Sequence, residues 1–366
     1  MPAPSSKPPA ALPWLAAIGI IVLGSAGAFA YAAGWLSPDR LTQDKLVGTL
    51  QKLGGDNPGF RRNHAKGVCV GGTFDSSGAA ATLTKAAILA PGAKTPVIGR
   101  FALAGGMPFQ ADAPAAVRSF ALRFLPKDTP EWRTGMNDIP VFPMNTVQAF
   151  YEQLEASLPD PATGKPDPAK MQAFGAAHPE TVKAIGLLKQ RKVTSGFGDD
   201  TYNGLNAFRF VDAGGKATPV RWAVVPVEPA APPAEADPAQ PPDKDYLFEA
   251  LAARIHEHPL QWHLVVTIGE AGDSTADATI PWPEERRHVE AGTVTIDQIS
   301  SEATGPCTDV NYDPLVLPPG IEASEDPLLP ARSAAYARSY TLRAGEKPEK
   351  KASEVTAQEI QGGAKP

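Results

Sequence analysis

The chain has 366 residues and a formal net charge of −6, from 34 Lys and Arg against 40 Asp and Glu. This mild acidity gives no general basic surface, so no nucleic-acid partner is expected. With 43% hydrophobic residues the chain can bury a large core, while its 39 prolines argue against a long helical bundle. Two cysteines exclude a disulfide scaffold and a cysteine-rich zinc or iron–sulfur site.

The N-terminal part of the chain is predicted to contain a membrane segment. Residues 1–12 form a short tail, and residues 13–36 form an uncharged apolar stretch flanked by Trp14 and Trp35. A helix of about 24 residues is roughly 36 Å long, enough to cross a bilayer core of about 30 Å. We therefore predict one transmembrane helix over 13–36. A cleaved signal peptide is the alternative, because Ala28-Phe29-Ala30 is a typical cleavage site.

Both alternatives place the rest of the chain outside the cytoplasm. An anchored protein would face the periplasm in a Gram-negative cell, and a cleaved one would be secreted. Either compartment permits a disulfide between Cys69 and Cys307, although the sequence does not show whether these two residues lie close together.

The rest of the chain mixes strand-like and helical segments, which indicates an α+β fold with a mainly antiparallel sheet or barrel and peripheral helices. Apolar runs predict strands at Thr95–Phe101, Ser119–Phe124, Ala207–Val211, Arg221–Val227 and Gln261–Ile268. Other segments predict helices at Thr42–Leu53, Val147–Leu158, Pro179–Gln190 and Asp245–His256. Gly214-Gly215 predicts the turn of a hairpin.

Two segments are predicted to lie outside the packed part of a single folded domain at 40–343. Residues 226–245 are rich in Pro and Ala and are typical of an extended surface loop. Residues 344–366 are polar and charged, which predicts a disordered tail.

One histidine, His64, has a clear chemical context. It lies in GFRRNHAKGVCVGG, between a pair of arginines and a run of small residues. A histidine among small residues and fixed positive charge can act as a neutral acid–base group. The cluster of His256, His258 and His263 fits no metal motif, and no phosphate-loop, serine-hydrolase or dinucleotide motif occurs.

A second candidate site lies near the end of the folded domain. In the helical stretch ARSAAYARSYTLR, Arg332 and Tyr336 are spaced i, i+4 and share one helix face. A guanidinium there favours a phenolate, which needs such support because a free tyrosine has a pKa of about 10. Taken by itself, such a pair is far more often ordinary packing.

Five segments match, in order, the motifs of one known family. They are RRNHAKG (R-x-x-H-A-K-G), PVIGRFALAGG (R-F-S-x-A-G), RSFALRF (R-G-F-A-x-K-F), GMNDIPVF (G-N-N-T-P-x-F-F), and DPLVLPPGIEASEDPLLPARSAAY (D-P-x-x-x-P-P-G-I-E-x-S-x-D followed by R-x-x-x-Y). On these residues the chain resembles the haem catalase superfamily over about 55–343, and within it the short, membrane-anchored or exported catalase-related peroxidases. The resemblance implies a catalase-like antiparallel β-barrel that encloses a haem, expected to be of b type.

The resemblance also implies an activity. It is similar to that of haem peroxidases that reduce organic hydroperoxides, and hydrogen peroxide weakly, by heterolytic O–O cleavage as a protection against peroxide stress. True catalase disproportionation of hydrogen peroxide is the alternative. The electron donor and the oligomeric state cannot be inferred from the sequence.

Site residues follow from the resemblance position by position. On the distal side, His64 is implied as the acid–base group and Asn137 as the residue that hydrogen-bonds the peroxide and holds it in line. Phe150 matches an aromatic residue that guards the distal pocket, with plain core packing as an equal explanation.

On the proximal side, Tyr336 is implied as the iron ligand and Arg332 as the group that keeps its oxygen ionised. Three arginines, Arg61, Arg100 and Arg343, match positions that bind the haem propionates.

Three residues depart from the family pattern. Ala102 stands where the larger family has a serine or threonine bonded to the distal histidine, so another group or water must set the tautomer of His64. Asn63 stands where a valine usually constricts the channel, and Asn206 where a histidine is usual on the proximal side. These changes predict an altered pocket.

Overall fold

The computed structural model describes residues 11–32, 35–36, 40–233, 243–350 and 354–361. Within these ranges the α-helices are Ala11–Ala32 (α1), Gln43–Gly54 (α2), Val147–Ala156 (α3), Pro168–Ala177 (α4), Pro179–Lys189 (α5), Tyr246–Glu257 (α6), Leu328–Glu346 (α7) and Ala357–Ile360 (α8). The strands are Gly67–Ser76 (β1), Lys94–Leu103 (β2), Arg118–Phe124 (β3), Trp132–Asn137 (β4), Tyr202–Asn203 (β5), Phe208–Val211 (β6), Ala217–Pro226 (β7), Leu260–Ile268 (β8), His288–Ser301 (β9) and Ile321–Ala323 (β10).

Eight of the described strands close into an antiparallel barrel. The order around the ring is β7-β5-β4-β3-β2-β1-β9-β8, and pairing of β8 with β7 completes it. Strands β6 and β10 extend the sheet beyond β7. The predicted α+β barrel is confirmed, and so is the hairpin, because Gly215 lies between β6 and β7 with a left-handed φ of 85°.

Aromatic side chains fill the inside of the barrel. Phe101 and Phe120 stack with ring centroids 4.1 Å apart, and both contact Trp262 on β8, which is not a neighbouring strand. Since side chains alternate across a strand, the residues next to Phe101 on β2 and next to Phe120 on β3 point out of the barrel. The resemblance implied a barrel that encloses the haem. In the structure the interior is packed, and the large cavity lies against the outer face of β2–β4.

The C-terminal segment differs from its prediction. Residues 344–350 continue α7 and its following turn, and 354–361 pack on the barrel instead of being disordered. Val355 and Ile360 belong to the main core, where they are 0% and 3% exposed. The remaining tail residues, 351–353 and 362–366, lie outside the described residues.

The other predicted segments can be located in part. The apolar N-terminal stretch forms α1, of which Pro13–Tyr31 is long and apolar enough to cross a membrane. Residues 1–10 of the predicted tail and 234–242 of the proline-rich loop lie outside the described residues. At the end of that loop Asp245 is fully buried and pairs with Lys66 at 2.5 Å, so this point of the loop is part of the core.

Candidate functional site

A cavity with about 1350 Å³ of empty space, part of it open to solvent, lies between the barrel and three helices. The outward residues of β2, β3 and β4 form one wall, and α2, α3 and α7 form the others. The cavity is lined by all eight site residues inferred from the sequence, namely Arg61, His64, Arg100, Asn137, Phe150, Arg332, Tyr336 and Arg343. Segments far apart in the chain therefore meet at one place, as the resemblance implied.

His64 is held by its backbone in an unusual conformation. Its φ is 53°, in the left-handed region that costs free energy for a residue with a side chain. Three hydrogen bonds hold this geometry. The Asn63 side-chain oxygen accepts from the N–H groups of His64 and Gly105, both at 2.9 Å, and Arg100 Nη1 donates to the His64 carbonyl at 2.8 Å. The Asn63 side chain thus fixes the backbone of His64, a contact that was not predicted from the sequence.

The imidazole of His64 is uncharged at physiological pH. Burial lowers its pKa to about 3, and the nearby positive charges of Arg100, Arg332 and Arg61 add to this effect, which a hydrogen bond with the Leu103 backbone opposes only weakly. A neutral imidazole has a free lone pair, so it can accept a proton from a ligand in the cavity.

Ser119 connects His64 with Asn137. Its hydroxyl lies 2.8 Å from Nδ1 of His64 and donates to Oδ1 of Asn137. In the sheet Ser119 pairs with Ala102 on one side and with Asn137 on the other. The group that replaces the hydroxyl missing at Ala102 is therefore a serine on the next strand, which sequence analysis missed because the strand register was not known.

Three arginines form a basic wall of the cavity with Glu302 behind them. Glu302 accepts from Arg100 Nη2 at 2.7 Å and lies 3.4 Å from Arg61 Nη2. Burial lowers the pKa of Arg61. Burial, together with repulsion from Arg61, lowers the pKa of Arg343 to about 10. At Arg100 the attraction of Glu302 outweighs burial, so the pKa of Arg100 is raised. A second carboxyl group, that of Glu354, lies 3.7 Å from Arg100, but its pKa is raised to about 8 by burial and by the charge of Glu302. Near neutral pH Glu302 is thus the one close charged carboxylate for three guanidiniums, and positive charge is in excess beside the cavity.

A loop pinned by a disulfide holds these guanidiniums. The structure joins Cys69 on β1 to Cys307, so the two cysteines do pair. The Cys307 carbonyl accepts from Arg61 at 3.0 Å, and the Thr308 carbonyl accepts from Arg343. The disulfide therefore fixes the loop that supplies acceptors to the basic wall.

Helix α7 presents Arg332 and Tyr336 to the cavity. The Arg332 guanidinium carbon lies 6.0 Å from the centre of the Tyr336 ring, as expected for an i, i+4 pair. Arg332 Nη1 donates to Asn206 Oδ1, and Asn206 Nδ2 donates to Asp326 at 2.7 Å. Asn206, which departs from the family pattern, thus orients Arg332 through a buried chain of hydrogen bonds.

Two phenylalanines complete the wall on the side of α3. Phe150 and Phe142 both line the cavity, with ring centroids 5.8 Å apart in an edge-to-face arrangement. Both are partly buried, so they contact the cavity as well as the core. The sequence predicted this position for Phe150, and its guarding role stays a prediction.

The residues present fit a haem. The buried atoms Nη2 of Arg343 and Nε of Arg61 have no hydrogen-bond partner in the structure, so the basic wall offers donors for an anionic group such as a propionate. Across the cavity a phenol beside a guanidinium offers an oxygen ligand for iron. A Cβ on Gly135 would lie 3.6 Å from the Tyr336 oxygen, so β4 runs directly beside the phenol.

Comparison with known proteins agrees with this geometry. The family model described as catalase matches residues 33–352. A catalase-related peroxidase of Synechococcus elongatus is 34% identical over 329 residues, which cover 90% of this chain and 93% of that protein. A catalase-related peroxidase of Mycolicibacterium paratuberculosis is 32% identical, covering 83% of this chain and 96% of that one.

The fold is also similar to solved structures. A bacterial catalase superimposes with a TM-score of 0.68 over 79% of this chain at 22% identity. The match covers 58% of that catalase, so this chain spans a little over half of its length. At this identity the similarity shows the fold alone.

Proposed function

The chain belongs to the catalase family and is an oxidoreductase that acts on peroxide, and from this premise we propose that it is a haem-dependent peroxidase. Its substrates in this proposal are organic hydroperoxides, with weaker turnover of hydrogen peroxide, and its biological role is protection against peroxide stress. The observation that carries the proposal is the placement of His64 and Asn137 in the same cavity as Tyr336 and Arg332.

The residues that would hold the haem lie on two sides of the cavity. Tyr336 would bind the iron, with the guanidinium carbon of Arg332 6.0 Å from the centre of its ring. The free donors of Arg61 and Arg343 would bind the propionates, next to Arg100. When bound, the haem would supply the two electrons that reduce the peroxide and cleave its O–O bond.

On the distal side the protein moves one proton and holds the substrate. His64 accepts the proton of the hydroperoxide and returns it to the other oxygen as the O–O bond breaks, so an alcohol leaves from an organic hydroperoxide and water from hydrogen peroxide. Asn137 donates a hydrogen bond that orients the peroxide. A reductant would then supply two electrons, which together with two protons release the remaining oxygen as water and complete the cycle.

Relatives support a peroxidase activity, and the cavity supports the proposed preference for organic hydroperoxides. The two relatives at 34% and 32% identity are both named catalase-related peroxidases. Apolar residues of α2 and α3, among them Leu46, Val47 and Phe150, line the cavity and suit the organic part of such a substrate.

We also propose that α1 anchors the protein with its catalytic domain outside the cytoplasm. The helix has a mean hydropathy of 1.8 over Pro13–Tyr31, and the described side chains there are not covered by other parts of the protein. The Cys69–Cys307 disulfide fits an oxidising compartment. The alternative is that α1 is a signal peptide and that the protein is secreted after its cleavage.

The proposed activity is tested on the purified full chain reconstituted with haem. Spectra are recorded with and without cumene hydroperoxide and a reducing dye, and oxygen release is measured with hydrogen peroxide alone. We expect a Soret band and dye oxidation, with slow oxygen release. Rapid oxygen release without a donor would instead indicate a true catalase, and a protein that stays colourless would overturn the proposal.

Two variants test the assigned roles. Tyr336→Phe should lose or displace the haem, because the iron loses its ligand. His64→Ala should keep the haem but lower the rate of peroxide cleavage by about 10²- to 10⁴-fold, the usual contribution of an acid–base group. His263→Ala is the matched control, since His263 lies on β8 and does not line the cavity. Unchanged turnover in His64→Ala would contradict the acid–base role.

A further inference from the structure

One hydroxyl, that of Ser119, lies between the two distal side chains. It is 2.8 Å from Nδ1 of His64 and bonds to Oδ1 of Asn137. Ser119 is 7% exposed, so water does not compete freely for these contacts. The three groups form a continuous chain of hydrogen bonds along the wall of the cavity.

The protons available along this series of hydrogen bonds fix which group donates and which accepts in each bond. The Asn137 oxygen can only accept, so the single hydroxyl proton of Ser119 is donated to it. The Ser119 oxygen must then accept from His64, which places a proton on Nδ1 of the imidazole. Because the ring is neutral, Nε2 carries no proton and is the free base.

The same chain also sets the orientation of the Asn137 amide. With Oδ1 bound to Ser119, the Nδ2 group is left as the free end of the side chain, and it can only donate. The cavity therefore receives one acceptor, Nε2 of His64, and one donor, Nδ2 of Asn137. A hydroperoxide needs both, because the acceptor takes its proton and the donor holds its other oxygen.

The position of the hydroxyl explains why a single residue can contact both groups. Ser119 is on the middle strand of three, paired with Ala102 on β2 and with Asn137 on β4. Directly paired residues are close enough for their side chains to touch. In the motif R-G-F-A-x-K-F this position is a glycine, while the hydroxyl belongs to the position of Ala102. The chain thus carries a paired exchange, with the hydroxyl moved one strand towards Asn137.

We propose that Ser119 is a positioning residue that fixes both the Nδ1–H tautomer of His64 and the amide orientation of Asn137. The proposal rests on the proposed function for its catalytic consequence, but the tautomer itself is a property of the polypeptide. It can therefore be measured separately from turnover.

The direct test is nitrogen-15 NMR of the His64 ring in the haem-free full chain, with the signals assigned by comparison with His64→Ala. We expect a protonated Nδ1 and an unprotonated Nε2 in the wild-type protein. Ser119→Ala should give a mixture of tautomers. A single unchanged tautomer in Ser119→Ala would overturn the proposal.

Rates in the haem-loaded protein provide the second readout. Ser119→Ala should lower kcat/KM for cumene hydroperoxide by about 10- to 100-fold with unchanged haem content, a loss typical of a group that orients a reacting histidine. Ser119→Thr keeps the hydroxyl and should recover most of the rate. Ser76→Ala, which removes a similarly buried serine hydroxyl at the far end of β1, is the control.

The outcomes separate this proposal from the proposed function. If wild-type protein with haem does not cleave peroxide, the proposed function fails, and NMR still decides the role of Ser119. If the wild-type protein is active and Ser119→Ala retains its full rate, the positioning role is wrong.

Discussion

Two buried glutamates, Glu302 and Glu354, lie side by side behind the basic wall of the cavity. Glu302 bonds to Arg100 at 2.7 Å, whereas Glu354 lies 3.7 Å from the same guanidinium. Burial and the charge of Glu302 raise the pKa of Glu354 to about 8, while Arg100, outweighing burial, holds the pKa of Glu302 well below its usual range. Near neutral pH one carboxyl group is therefore charged and the other retains a proton.

This difference predicts a pH-dependent effect of Glu354→Gln on stability. In the unfolded chain Glu354 ionises near pH 4.3, but in the folded protein only near pH 8, so the folded protein binds more protons between these values. The contribution of Glu354 to the free energy of unfolding of the wild-type protein is fully present at low pH and is lost as the pH rises through 8. The variant should match wild type at pH 4 and be at least about 1 kcal/mol more stable at pH 9, measured by urea unfolding.

Glu346→Gln provides a control with the opposite sign. The bonds from Arg62 Nη2, at 2.5 and 2.7 Å, outweigh burial and lower the pKa of Glu346. Its contribution is present above the unfolded pKa and is lost in acid, so this variant should be less stable than wild type at neutral pH and equal to it in strong acid. If both variants show the same pH trend, the assignment of the Glu354 proton is wrong.

Motifs in the sequence located the principal residues of the candidate site but not their partners. His64, Asn137 and Tyr336 could be placed because each belongs to a local pattern, and the structure brings them to one cavity. Ser119 and Glu302 could not, because their importance depends on strand register and on a loop 241 residues away from Arg61 in sequence. Such long-range pairings leave no local signal in one sequence.

At the scale of elements, the C-terminal segment 354–361 is the clearest departure from the sequence-based prediction. Its polar composition suggested disorder, yet α8 packs against α6 and β9 and buries Ile360. Ser301 donates to the Val355 carbonyl at 2.7 Å, which fixes the segment to the end of β9. Two apolar residues in a charged stretch are enough to dock it, because the barrel offers them an apolar surface.

Ile360→Ala tests whether this docking contributes to stability. Removing a buried isoleucine side chain typically costs about 2–5 kcal/mol, so the variant should unfold at clearly lower urea concentration. Ile280→Ala is the matched control, since Ile280 is 46% exposed and its replacement should cost far less. Equal stability of the two variants would indicate that the segment is not docked in solution.

Helices were easier to predict than strands in this chain. The predicted segment Val147–Leu158 agrees with α3 to within two residues at its end, because an amphipathic period and an N-terminal Thr146 cap mark it locally. Strands β1 and β9 were missed although they are two of the eight strands that close the barrel. Glycines interrupt the apolar pattern of β1, and β9 gains its register only by pairing with β1 and β8.

At the scale of the whole molecule, the barrel and the disulfide connect distant parts of the chain. Closure requires β7 to pair with β8 and β9 with β1, a separation of more than two hundred residues in the second case. The disulfide joins residues 238 positions apart beside the cavity. The site therefore depends on the complete fold, and the barrel topology could be expected only through the family resemblance.

We have proposed that the N-terminal helix anchors this folded domain to the membrane. A charged residue at the centre of a membrane helix costs about 2.5–3.5 kcal/mol on the insertion scale, so Ile20→Asp/Leu23→Asp should remove α1 from the bilayer. We expect the wild-type full chain to remain with the membrane after an alkaline wash with its intact mass including α1, and the variant to be released. Ile185→Asp, at a partly exposed position on α5, is the control and should stay with the membrane. A soluble wild-type protein whose mature N-terminus follows Ala30 would contradict the anchor and establish the helix as a signal peptide, because cleavage there removes nearly all of the apolar segment Pro13–Tyr31.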